Sequence, residues 1–186
     1  PTGPLHVGHG RGAAFGAALA DVLEATGHAV HREYYINDAG RQMHILAVSV
    51  LIRYLEHRGE SMAFPANGYR GDYIHGIARD LEAEAGERYR ITAAELTAGL
   101  PADAHAGGDK EAYIDALIAR ARGLLGEGRY EEILEAAVTA ITGDIAEDLA
   151  AFGVRYDRWF SERALVRTGA VEHALEHLQA AGALYD

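Results

Sequence analysis

The sequence predicts an α/β fold in which a helical stretch separates two segments that carry strands. A short stretch rich in Val, Tyr and Ile, residues 28–36, lies between two helical patterns. A second aromatic stretch occurs near the end of the chain, at residues 156–160. Between these stretches the apolar side chains recur mostly at helical spacing. We therefore expect strands from both ends of the chain and an insertion of helices between them.

Composition limits what the chain can be. Its 186 residues correspond to one domain, or to one domain with an insertion, and 49% of them are apolar. The absence of cysteine excludes disulfides and thiolate metal sites. No apolar run is long enough for a membrane span, so no membrane partner is expected. The net charge of −11 argues against a broad basic surface for nucleic acid.

The first third of the chain predicts a helix, a strand and a second helix. The first helix is expected over residues 10–26, with Gly27 as its end. Residues 28–36 form the strand, and residues 37–40 supply a turn or a helix cap. Gly59 ends the second helix, which has one apolar face, formed by Met43, Leu46, Ala47, Val50, Leu51, Tyr54 and Leu55. This order suggests a βαβ-type unit whose first strand precedes residue 1.

The next segment begins with a loop, residues 60–71, followed by a helix over residues 72–86. Residues 87–109 are less regular, because Gly and Pro interrupt them. Within them, Thr92 and Glu95 have the spacing of a capping box, which predicts a short helix.

The second half predicts further helices and one strand. Asp109 can cap a helix that Gly126 and Gly128 break, and the following helix spans residues 130–152. Gly153 ends that helix. The strand over residues 156–160 and a last helix over residues 168–181, ended by Gly182, complete the prediction.

The first ten residues carry the clearest chemical signal. His6 and His9 lie in a Gly- and Pro-rich loop that leads directly into the first helix. A helix N-terminus has unpaired N–H donors and a partial positive charge, which favour anions. Imidazoles can donate hydrogen bonds to charge that develops on a reacting phosphate. An isolated His-x-x-His is more often an ordinary turn, but the flanking glycines and Arg11 favour a nucleotide site here.

Four blocks resemble the class I aminoacyl-tRNA synthetases, and among them the arginyl-tRNA synthetases of bacterial type. Residues 1–12 resemble the HIGH signature of that class. The other three blocks are more specific to the arginine family and lie at residues 32–42, 64–69 and 152–162. The resemblance implies a partial Rossmann-like fold of HIGH type with a mainly helical insertion. It places the nucleotide-binding catalytic domain at residues 1–60 and 154–186 and the insertion at residues 61–153.

The resemblance also implies a chemistry. Enzymes of this family activate arginine with ATP and Mg²⁺, release pyrophosphate, and transfer the arginyl group to the 3′ end of the tRNA for arginine. The signature histidines would act on the α-phosphate as the catalytic residues His6 and His9. Gly8 would lie against the adenine. The implied ATP-binding positions are Thr2, Gly3, Pro4, His6, Gly8 and His9.

A second set of implied site residues follows the first strand, where its end should face the same cleft. These residues would line the pocket for arginine or ATP, and they are Asn37, Asp38, Gly40 and Gln42. The alternative is a helix cap with a tight turn, which explains Asn37 and Gly40 equally well.

Two features of the family pattern do not occur in these 186 residues: the KMSKS-like loop and the strand that precedes the signature. We therefore expect a fragment of a cytoplasmic enzyme that is inactive by itself.

Two alternatives stay open, namely a small nucleotidyltransferase and a non-catalytic helical binding module. His173 and His177 could hold a metal, but Glu172 and Glu176 favour a solvated face, so no metal ligand is assigned.

Overall fold

The computed structural model describes residues 1–185, which form mainly helices and one small sheet. The first strand follows the first helix, and the second strand follows the sixth helix. Their bounds are α1 Val7–Ala25, β1 Glu33–Ile36, α2 Arg41–His57, α3 Asp72–Ala85, α4 Ala93–Thr97, a 3₁₀ turn Ala104–Ala106, α5 Lys110–Leu125, α6 Glu127–Ala151, β2 Arg158–Ser161, α7 Glu162–Arg167 and α8 Ala170–Ala180.

The chain divides into two compact units. The first unit contains residues 1–6 and 40–148. The second contains residues 7–39 and the described chain from residue 149 onwards, so the boundary falls inside α6. Each unit therefore combines segments that are distant in the sequence.

The core of the first unit surrounds α2, which packs against α3 and α5. This helix is buried on nearly every side, beyond the single face that the sequence predicts: Ile45, Val48 and Ile52 are buried as well. A helix that is apolar all round belongs in the interior. Each fully buried aliphatic side chain contributes about 1.5–3 kcal/mol. Fully buried side chains from the other helices include Ile74, Leu96, Ile114, Leu117, Leu125, Tyr130 and Ile133.

The second unit contains the sheet, in which β1 and β2 pair in parallel. Tyr34 lies opposite Trp159, and their rings stack with centroids 4.5 Å apart. Tyr156 packs edge-on against both rings, at 5.3 Å from Tyr34 and 5.7 Å from Trp159. Strands that lie on either side of the helical stretch thus meet in one sheet.

Helix α1 leaves most of its apolar side chains exposed. Phe15 is 72% exposed and Val22 60% exposed, while only Ala13 and Ala20 are buried. Helix α8 similarly exposes Leu175. Exposed apolar surface of this extent is unusual in a monomeric soluble domain.

Most predicted helix ends are confirmed, and several boundaries differ. Gly126 ends α5 as expected, but Gly128 lies in the first turn of α6 rather than breaking a helix. The first strand is shorter than residues 28–36, and the second is shifted towards Ser161. The predicted last helix is preceded by a separate short helix, α7, and Gly169 separates the two. Among residues 1–185, no helix has both the length and the apolar character that crossing a membrane requires.

Candidate functional site

The glycine-rich segment at the start of the chain leads directly into α1. His6 immediately precedes Val7, the first helical residue, and His9 lies in the first turn. Both histidines and Gly8 are exposed. The first turn of this helix contains no acidic residue that would offset the partial positive charge of the helix N-terminus. The local structure therefore has the electrostatic character that suits an anionic ligand.

Thr2 and Gly3 contact a tyrosine from the start of α3. The Tyr73 hydroxyl donates a hydrogen bond of 2.7 Å to the carbonyl oxygen of Thr2. Gly3 lies so close to this side chain that an added Cβ would come within 3.0 Å of Tyr73 Oη. Gly71 also faces the ring, because a Cβ there would lie 2.3 Å from Tyr73 Cε1. The lack of a side chain at Gly3 and Gly71 thus leaves the space that the Tyr73 ring occupies.

Tyr69 links the same region to α2. Its hydroxyl donates a hydrogen bond to Oε1 of Gln42, one of the predicted substrate-binding residues. Its backbone N–H donates to the Ser49 hydroxyl at 3.0 Å. Burial raises the pKa of Tyr69, and a hydrogen bond with the Thr2 side chain acts in the opposite direction. Thr2 and Gln42, both predicted site residues, are therefore brought together around one phenol group.

The start of α2 is fixed by a glycine and an arginine. Gly40 precedes the helix with φ 84° and ψ −176°, a conformation that only glycine adopts readily. Arg41 forms ion pairs with Glu111 at 2.7 Å and Asp115 at 2.6 Å, both on α5. These contacts attach the N-terminus of α2, where Gln42 lies, to the helical stretch.

Asp38, in the second unit, is 4% exposed and lies between the ends of the two strands. The Ser161 hydroxyl donates to one of its carboxylate oxygens at 2.7 Å, and the Arg163 N–H donates to the other at 2.9 Å. Ser161 in turn accepts a hydrogen bond from the N–H of Ala164 and caps α7. Asn37, beside Asp38, is exposed.

Sequence reasoning did not identify Tyr73 and Ser161, which form hydrogen bonds with the predicted site residues Thr2 and Asp38. Tyr73 reads as a core residue of a helix, and nothing in its spacing indicates the contact with Thr2. Ser161 is a typical N-cap residue, which could have indicated that a helix begins at Glu162. Its hydrogen bond to Asp38 joins residues 123 positions apart, which local patterns do not reveal.

Other candidate groups from the sequence stay apart from these contacts. His173 and His177 are exposed on α8. Within the described part of the chain, no three His, Asp or Glu side chains lie close enough together to hold a metal ion. The second unit has a groove of about 290 Å³ beside α1, and it contains none of the predicted site residues. Its apolar lining includes Leu19, Leu23 and Val154.

A family model and the similar proteins of known name all point to the same class of enzyme. A family model described as "tRNA synthetases class I (R), catalytic domain" matches residues 2–66. The arginine–tRNA ligase of Thioalkalivibrio sulfidiphilus is 59% identical over 186 residues, and that of Halorhodospira halophila is 62% identical over 185. Each alignment covers 100% of this chain but only 32% and 31% of the relative. The chain thus spans about a third of the length of these relatives.

A solved structure extends the likeness to three dimensions. A crystal structure provisionally assigned as an arginyl-tRNA synthetase from Campylobacter jejuni superimposes with a TM-score of 0.72 at 26% identity. The match covers 100% of this chain and 33% of that protein. Its coverage agrees with that of the sequence relatives.

Proposed function

Since this chain belongs to the arginine–tRNA ligase family of class I synthetases, we propose that it is part of an enzyme that joins arginine to its tRNA. The observation that carries this proposal is the similarity to such ligases over the whole chain, at 59% and 62% identity. The substrates would be arginine, ATP and the tRNA for arginine. The two alternatives, a small nucleotidyltransferase and a binding module, have no comparable support.

In the proposed reaction the arginine carboxylate attacks the α-phosphate of ATP and pyrophosphate leaves. Negative charge develops on the phosphate oxygens, and fixed hydrogen-bond donors stabilise it. His6 and His9 would supply such donors at the N-terminus of α1. Their exposure in the structure is compatible with access by a ligand. The ATP-binding positions of the proposal are Thr2, Gly3, Pro4, His6, Gly8 and His9.

A second group of residues would contact the substrates after the first strand. Gln42 accepts a hydrogen bond from Tyr69, which also interacts with Thr2, and this supports its place near the ATP loop. Asn37, Asp38 and Gly40 complete the proposed group. The buried hydrogen bonds of Asp38 show that it also has a structural role.

We also propose a Rossmann-like arrangement for the catalytic part. The parallel pairing of β1 and β2 supports it, because parallel strands need a crossover and here the crossover contains the helical stretch. In this proposal residues 1–60 and 154–186 belong to the nucleotide-binding domain, and residues 61–153 form the insertion. ATP would bind as its Mg²⁺ complex, with no metal ligand assigned to this chain. The cytoplasm, where translation occurs, is the proposed location.

The proposal can be tested on the full-length enzyme by arginine- and tRNA-dependent ATP–pyrophosphate exchange. Replacing His6 and His9 together with alanine should lower kcat by about 10²–10³-fold, the cost of losing donors to a developing charge. The control replaces His173 and His177 with alanine, on the face of α8 opposite Leu175, and should leave exchange unchanged. Exchange that does not require arginine would contradict the proposal.

A second measurement concerns the segment itself. We expect the isolated 186 residues to show no exchange, because the family pattern places part of the ATP site elsewhere. Exchange at the level of the full-length enzyme would show that this expectation is wrong.

A further inference from the structure

Two tyrosines from one short segment hold the first residues of the chain. Tyr73 donates a hydrogen bond from its hydroxyl to the carbonyl oxygen of Thr2, at 2.7 Å. Tyr69, four residues earlier, interacts with the side chain of Thr2. We refer to Tyr69 and Tyr73 as the tyrosine pair. The backbone carbonyl and the side chain of Thr2 thus each contact a phenol group.

The local chain is shaped to admit the Tyr73 ring. A Cβ at Gly71 would lie 2.3 Å from Tyr73 Cε1, and a Cβ at Gly3 would lie 3.0 Å from Tyr73 Oη. Gly71 has φ −63° and ψ 155°, a conformation open to any residue, so its backbone does not require glycine. The close approach of the ring does require it. The contact between α3 and the start of the chain therefore depends on the lack of a side chain at Gly3 and Gly71, as well as on the Tyr73 ring.

Hydrogen bonds to α2 hold Tyr69, one member of the tyrosine pair, in place. The Tyr69 hydroxyl also contacts Gln42 on α2, and its backbone N–H donates to Ser49. Ser49 is fully buried and donates to the carbonyl oxygen of Ile45 within the same helix. Burial raises the pKa of Tyr73, which keeps its hydroxyl protonated and able to donate. A rigid helix thus supports the contact with Thr2 through a continuous set of hydrogen bonds.

From these contacts we infer that Tyr69 and Tyr73 are positioning residues that hold Thr2 and Gly3 in the conformation required to bind the phosphates of ATP. The inference rests on the proposed function and assigns to it two residues outside the loop. Neither tyrosine needs to touch the substrate. A loop of glycine and proline has little structure of its own, and fixing it before the ligand arrives lowers the entropy cost of binding.

The test uses the full-length enzyme and compares two tyrosine-to-phenylalanine changes. Tyr73→Phe keeps the ring and removes the donor to Thr2. Tyr54→Phe is the matched control, since the Tyr54 hydroxyl donates to the carbonyl oxygen of Gly86, at the other end of α3. One neutral hydrogen bond corresponds to about a 3- to 10-fold change in an equilibrium constant. We expect the KM for ATP to rise by that factor for Tyr73→Phe, with the KM for arginine unchanged.

A purely structural role for Tyr73 predicts a different result, because both variants would then lose similar thermal stability and share the same KM for ATP. An unchanged KM for ATP in Tyr73→Phe, or an equal rise in Tyr54→Phe, would overturn the inference. Gly71→Ala displaces the same ring by another route and should raise the KM for ATP as well.

The dissociation constant of ATP, measured by calorimetry on the same proteins, separates this inference from the proposed function. Wild-type enzyme without arginine-dependent exchange would refute the function. If such an enzyme still bound ATP, weaker binding by Tyr73→Phe would support the inference and equal binding would overturn it. If it bound no ATP, the inference would fall with the function.

Discussion

The hydroxyl of Ser161 donates a hydrogen bond of 2.7 Å to the buried carboxylate of Asp38. Asp38 follows the first strand and Ser161 ends the second, so this bond joins the carboxyl ends of two parallel strands. The backbone N–H of Arg163 donates a hydrogen bond to the other carboxylate oxygen. One acidic side chain therefore connects the sheet to the start of α7.

Replacing Asp38 with alanine should destabilise the protein by about 2–3 kcal/mol, because a buried hydroxyl and a backbone N–H lose a charged acceptor. Asp21→Ala is the control, since it removes an exposed carboxylate whose ion pair with Arg32 is screened by solvent and should contribute little. Urea unfolding of the full-length protein measures both. Equal losses for the two variants would argue against the role assigned to Asp38.

Gly40 and Gly76 should respond to alanine in opposite directions. Gly40 has φ 84° with ψ −176°, and a side chain there costs about 1–3 kcal/mol of backbone strain. Gly76 lies inside α3 with nothing within 4 Å of an added Cβ, so alanine should stabilise the helix by about 0.5–1 kcal/mol. The midpoint of thermal unfolding reports both changes. A gain in stability from Gly40→Ala would be inconsistent with the observed backbone conformation.

His44 should make stability depend on pH in the weakly acidic range. Burial, aided by the positive charge of Arg122, lowers the pKa of His44 below its ordinary value. The unfolded chain then binds a proton that the folded protein does not, so stability falls as the pH drops below about 6.5 towards the lowered pKa. His44→Gln should lose less stability than the wild type between pH 7 and pH 5.

The control for this experiment is His28→Gln, which removes an exposed histidine. NMR titration of the His44 ring gives a direct measurement, and a midpoint at or above 6.5 would contradict the structure.

Helix ends are the part of the fold that the sequence predicts best. A glycine can adopt a positive φ without help from distant residues, so the signal is local. The predicted ends at Gly27, Gly59 and Gly153 all have φ near 90°. The capping box of Thr92 and Glu95 is confirmed for the same reason, since both partners lie within one turn.

The missed features depend on residues far apart in the chain. Helix α7 is absent from the prediction although Ser161 is a local N-cap signal, and the contacts of its start with Asp38, more than a hundred positions earlier, leave no local pattern. The contact between Tyr73 and Thr2 spans 71 positions. Phe15 lies at helical spacing from other apolar residues of the first helix, yet it is 72% exposed, because periodicity identifies an apolar face and not what covers it.

The parallel pairing of β1 and β2 has a consequence for synthesis of the protein on the ribosome. The first strand emerges long before the second, and cannot form its sheet until residue 161 is available. Residues 40–148, which form most of the first unit, have by then been made and can fold. The sheet therefore closes a loop of more than a hundred residues, whose entropy cost grows only slowly with its length.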